Sequence, residues 1–264
     1  MWWPTSGRSC HARRVRRRLR TVNPVRPTEL GTWDGLSYSL WVPGRVESPQ
    51  CGVVILHGAG SCKENHHDFA RAALATGLAA IVFDQRGHGA SEGAMDSRVV
   101  DDVVAIAAVL RSSIGADAPL ALRGSSMGGY IAILAAPLVE ARAVVAICPA
   151  STEGLRRGLT SGTLGFRADI GSLDRFLSAH ELDEAVGTLE VPLLLLHAEG
   201  DEQVPVEHSR ELAKRVRVPE SRLITVPGGH HRSVQHDPEL RSISLRWIAR
   251  TLGAVPPARW ETRG

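Results

Sequence analysis

The chain has 264 residues, 43% hydrophobic and 22% charged, a composition that excludes a disordered or fibrous protein and allows one large α/β domain with a substantial core. No apolar run reaches the roughly 18 residues that a membrane span needs. The net charge of +3 is unevenly placed, because residues 1–27 hold eight arginines and no acid while the remainder stands at −5.

The basic segment 1–27 reads as a solvated, disordered tail. Its paired arginines are not followed by an apolar stretch, so it does not read as an export signal, and no nucleic-acid partner is expected. The domain proper is placed at 28–264. Cys10, Cys51, Cys62 and Cys148 show no metal-like spacing and read as free thiols of a reducing, cytoplasmic compartment, with Cys51 and Cys148 buried in apolar runs.

From Gly31 to Val42, apolar alternation around the turn signal Asp34-Gly35 predicts an antiparallel strand or hairpin. Cys51 to Leu56 is a continuous apolar run, as in a strand buried on both faces, and it ends in His57-Gly58-Ala59-Gly60. A helix follows over 66–78, then a second buried strand from Ala79 to Phe83, the loop Asp84 to Gly93, and a helix from Val99 to Leu110. Leu120 to Leu122 leads into Gly124-Ser125-Ser126-Met127-Gly128 with a helical pattern directly behind it. Further strands are expected at Ala143 to Cys148, Val191 to Leu196 and Leu223 to Val226, and a closing helix from Pro238 to Leu252. Between 151 and 190 the alternation breaks, and the short helical patterns there predict a small cap over the strand ends. Strand and helix otherwise alternate, which predicts a doubly wound, mostly parallel sheet of about eight strands.

The sharpest feature is the glycine-flanked serine. G-x-S-x-G alone arises by chance in a glycine-rich chain, but a strand before it and a helix behind it describe a tight turn that holds Ser126 at a helix N-terminus. A Cβ at 124 or 128 would collide with neighbouring backbone. Ligands of parallel sheets bind beyond the carboxyl ends of the strands, so the residues to collect are 57–60, 84–89, Ser126, the segment after Cys148, Asp201 and His230-His231. A serine nucleophile needs a base, and the base needs a carboxylate to fix its tautomer. Glu199, Glu202 and Glu153 compete with Asp201, and His230 competes with His231. No His/Asp/Glu set has metal spacing.

These motifs, with His197-Ala198-Glu199-Gly200-Asp201-Glu202-Gln203-Val204-Pro205 and Pro227-Gly228-Gly229-His230-His231, resemble those of the α/β-hydrolase superfamily over about residues 30–253. The resemblance implies the α/β-hydrolase fold, nucleophile Ser126, acid Asp201 and base His231, with His230 as its alternative. It also implies an oxyanion hole from the backbone N–H groups of Ala59 and Met127, and for His57 a role in shaping the loop. The other histidines, His66, His67, His88, His180, His208 and His236, are expected at the surface or in loops. The expected activity is cleavage of a carboxylic ester or related acyl bond of a small-molecule substrate through an acyl-serine, without cofactor or metal. Thioesterase, peptidase and acyltransferase chemistry share the same residues. The rival is a catalytically silent scaffold that only binds. Nothing in the sequence specifies an oligomeric state.

Overall fold

Five mainly apolar runs form strands buried along their whole length, which places them in the middle of a sheet covered on both sides. In the computed structural model, which describes residues 24–44 and 50–254, these are β3 (Gly52–Leu56), β4 (Ala79–Phe83), β5 (Leu120–Ser125), β6 (Ala143–Ile147) and β7 (Leu193–Ala198). The less buried β1 (Glu29–Trp33) and β8 (Arg222–Val226) lie at the two edges, and β2 (Leu36–Trp41) joins β1 to the rest. The order is β1-β2-β4-β3-β5-β6-β7-β8, with the first two pairings antiparallel and the others parallel. The fold is that of an eight-stranded, doubly wound α/β protein. Residues 1–23 of the basic tail lie outside the described residues.

Helices α1 (His67–Ala75), α2 (Val99–Ile114) and α3 (Met127–Val139) follow β3, β4 and β5. Their apolar stripes divide the core into two layers. Val103, Ile106, Tyr130 and Ala132 pack with Leu122 and Val54 on one face of the sheet. On the other, Phe69 and Ala73 of α1 meet Val53, Ala121 and Ile248, the last from α9 (Pro238–Thr251). Pro238 stands at the start of α9, where a missing N–H costs nothing, and Asp237 caps it through the N–H groups of Glu239 and Leu240.

Between β6 and β7 come α4 (Thr152–Ser161), α5 (Ile170–Ala179) and α6 (Leu182–Thr188). Ser151 and Asp169 cap α4 and α5. The linker between them is stitched to the loop after β4, where Met95 N donates to Arg167 O (2.9 Å) and Asp169 N donates to Met95 O (2.9 Å). Helix α7 (Val206–Arg215) and the single turn α8 (Ser233–His236) complete the chain. Strand β7 opens at Leu193, two residues later than the apolar run suggests, because Pro192 has no N–H to give a ladder.

Candidate active site

The turn between β5 and α3 puts Ser126 at φ 52°, ψ −120°, a conformation that a residue with a Cβ adopts only under constraint. The constraint is close packing of backbone. A Cβ at Gly124 would stand 2.6 Å from Gly129 N, and one at Gly128 would stand 2.5 Å from the carbonyl oxygens of Leu56 and His57. Ser126 N donates to Ile147 O (2.8 Å) and Ala150 N donates to Ser126 O (3.1 Å), so the serine is also pinned to the end of β6. The preceding Ser125 is buried, its hydroxyl without a partner among the described residues, whereas Ser126 is partly exposed.

Asp201 and His231 meet: His231 Nδ1 lies 2.7 Å from Asp201 Oδ2. That bond leaves Nε2 of the neutral ring as an acceptor. Asp201 Oδ1 accepts from the N–H groups of Gln203 (2.8 Å) and Val204 (2.9 Å). Burial works to raise the Asp201 carboxyl, but hydrogen bonds from His197, His231 and those two amides outweigh it and hold the group well below the usual carboxylate range. His230 turns elsewhere: it is exposed, and its Nδ1 accepts from the Arg232 amide (3.3 Å). Of the competing acids, Glu202 accepts the His231 backbone N–H (3.3 Å), Glu199 pairs with Arg210, and Glu153 pairs with Arg157 at the surface.

Among the described residues, Ser126 Oγ has no hydrogen bond to His231. The two arms are linked through Cys148, which follows Ile147 and whose Sγ lies within 4.8 Å of the ligand atoms of Asp201 and His231. Cys148, Asp201 and His231 are the one group of mixed ligand atoms gathered closely among the described residues. Asp201 and His231 already satisfy each other there, and burial pushes the Cys148 thiol far up, which keeps it protonated.

The loop after β3 lies directly over the serine, where a Cβ on Gly58 would come within 3.2 Å of Ser126 Cβ. Among the described residues no acceptor takes the N–H of Ala59 or of Met127. His57 is fully buried; its Nε2 accepts from Gln85 N (3.1 Å), which leaves Nδ1–H to donate to Gly58 O (2.8 Å). Burial holds its pKa down to about 4, so it stays neutral and braces the loop. Asp84 braces it from the next strand, accepting from Lys63 N and Nζ (2.7 and 2.6 Å) and from Ala90 N (2.9 Å).

The family described as serine aminopeptidase, S33, matches residues 47–168. A monoacylglycerol lipase of Mycolicibacterium smegmatis is 27% identical over 251 residues, an alignment covering 78% of this chain and 89% of the lipase. The uncharacterized protein YfhR of Escherichia coli O157:H7 is 29% identical over 160 residues, or 57% of this chain, and the match spans about half (52%) of YfhR. Among solved structures, the monoacylglycerol lipase of Paleococcus ferrophilus superposes with a TM-score of 0.64 at 18% identity, covering 82% of this chain and 99% of that one. Est1E of Butyrivibrio proteoclasticus, with ferulic acid bound, gives 0.63 at 20% identity, covering 83% and 96%. The chain has the α/β-hydrolase fold.

One expectation about the histidines needs correction. His66 is buried in the short helical turn Lys63–His66 before α1, neither at the surface nor in a loop, whereas His88 lies in a loop as expected but is buried there. His88 lies within the loop assembly, accepting from Gly60 N through Nε2 (3.2 Å) and stacking on Phe166 of the cap (4.4 Å between ring centres). A lone histidine has no periodicity to betray burial. His197 was also missed as a site residue: it lies near the end of β7, fully buried, with Nε2 3.3 Å from Asp201 Oδ2 and 2.9 Å from Val204 O. Its signal was a histidine closing an apolar run four residues before the acid.

Beside Met127 a narrow pocket runs beneath the cap, lined by apolar side chains that include Tyr130, Leu155, Leu164, Phe166 and Phe176. Tyr130 turns its hydroxyl away, to His180 O (2.7 Å). Among the described residues no helix is long and apolar enough to cross a membrane.

Proposed function

We propose that the chain is a serine hydrolase that cleaves a carboxylic ester through an acyl-Ser126 intermediate. The observation that carries this reading is the 2.7 Å pairing of His231 with Asp201, taken with a serine on a strained, glycine-flanked turn. Ser126 Oγ attacks the carbonyl carbon while His231 Nε2 takes its proton, and Asp201 stabilises the imidazolium. The N–H groups of Ala59 and Met127 stabilise the oxyanion; such donors are worth about 3–4 kcal/mol each. His231 then gives the proton to the leaving alcohol, and water repeats the sequence to release the acid. No cofactor enters.

The pocket beside Met127 carries no charge, which favours an acyl chain over the free amino terminus of a peptide. Its room is about 10 Å³, about enough for a single water. A chain of several carbons therefore requires α4 and α5 to move apart.

A fluorophosphonate probe should label the native protein at Ser126, and p-nitrophenyl esters of increasing acyl length should be hydrolysed. A folded protein that neither takes the label nor turns over any ester would favour the silent binding scaffold.

A further inference from the structure

Arg123 sits on β5, three residues before Ser126, with 1% of its surface exposed. Among the described residues it makes no ion pair. Nη1 lies 3.0 Å from His66 Nδ1, Nη2 donates to Gln235 O (3.1 Å), the guanidinium stacks on Phe69 (4.2 Å), and Nε has no partner. Burial lowers its pKa to about 10, so it remains a cation at neutral pH. A buried cation without a carboxylate is costly, and an apolar residue would fill a strand buried on both faces at no such cost.

The bond to Gln235 shows what the guanidinium holds. The loop bearing His231 leaves β8 through Gly228 (φ 67°) and Gly229 (φ 76°) and is tied upstream to the Asp201 loop, where Gly200 N donates to Gly228 O (3.0 Å). Downstream it runs into α8, a four-residue turn too short to persist alone. Ser233 closes that turn locally onto His230 (Oγ to His230 O, 2.7 Å), while buried Val234 and the Arg123 bond to the Gln235 carbonyl attach it to the body. We propose that Arg123 is a positioning residue: from the nucleophile's own strand it fixes the short helix that follows His231, and so sets the distance between base and serine.

This rests on the serine-hydrolase reading, and the test separates the two. Arg123→Met keeps length and removes the donors; Arg123→Lys keeps the charge and one donor direction. The expected result for Arg123→Met is a kcat on p-nitrophenyl butyrate lowered by about 10- to 100-fold with KM within about twofold, since small misplacements of a catalytic group cost on this scale. Arg123→Lys should recover most of the loss. Amide exchange in 230–236 should be faster in Arg123→Met, while β3, β5 and β6 exchange as in the native protein. A folded Arg123→Met with native kcat and native exchange overturns the proposal. Failure of both variants to fold also overturns it, because the guanidinium would then serve the whole core. If the native protein hydrolyses no ester, the functional reading fails, and the exchange comparison still decides the role of Arg123.

Discussion

His231 reaches Asp201 at 2.7 Å, while His230, one residue earlier, turns its ring back onto its own loop. Adjacent side chains on an irregular segment point apart, so only one of the pair can connect the acid to the serine. His231→Ala should lower turnover by on the order of 10³-fold or more, leaving the residual rate from the oxyanion donors and binding. His230→Ala should cost far less, through loss of its loop contacts alone. Steady-state turnover of both purified variants checks this, and a severe loss confined to His230 would reverse the assignment.

The backbone at Ser126 supplies a stability prediction that does not depend on knowing the substrate. Its φ of 52° with ψ −120° is a conformation glycine adopts freely and other residues hold at a cost of about 1–3 kcal/mol. Ser126→Ala and Ser126→Gly should both abolish ester turnover and probe labelling. The glycine variant should nevertheless be more stable than the alanine variant by about 1 kcal/mol or more in urea unfolding. Equal midpoints would show that the turn is unstrained.

Acid sensitivity follows from buried groups away from the nucleophile. His57, held to about 4, and His66, held well below its ordinary value by burial and the Arg123 charge, stay neutral in the native state while the unfolded chain protonates below about 6.5. Stability is therefore present above that value and lost as pH falls. For His57 the full difference is about 3 kcal/mol. Asp102 acts in the opposite sense: burial raises it to about 6, so protonation between roughly 6 and 4 favours the native state by a similar amount. Those two nearly cancel, and the net slope is set by His66 together with His67, His88 and His208, which burial also holds below the ordinary value. Stability should decline from pH 7 to 4, and His66→Gln, which can still accept from Arg123 and does not titrate, should flatten the decline. Urea midpoints against pH for both proteins make the comparison; parallel curves would remove His66 from the account.

The sheet was legible because its central strands are apolar on both faces, and runs such as Ala79 to Phe83 match the observed strand end to end. The cap was legible as a break in alternation carrying short helical patterns, which fall in α5 and α6, while the packing of its helices, set by contacts to the body beneath, was not. At the site, Ser126 and Asp201 were marked by local turn chemistry that a sequence displays. The choice between His230 and His231 depended on which way a ring points, which no spacing records. Arg123 and His197 were hidden for the same reason: each is one polar residue inside an apolar strand, and its meaning lies in a partner far away in the chain.

The segment between β6 and β7 combines two pieces of different standing. Helix α6 packs Val186 and Leu182 into the main core beside α3 and serves as the crossover that two parallel strands need. Helices α4 and α5 bury Leu155, Leu159, Leu173, Phe176 and Leu177 in the same layer, and their linker is also joined to the loop after β4 through Gly87 and Met95. The part that roofs the pocket is about 152–179, and it can diverge only if its inward apolar positions stay filled and the residues around 167–169 keep their backbone bonds to the loop after β4. Recombination with relatives at those seams would exchange the roof of the pocket as one cassette and leave the reacting groups on their original mounts.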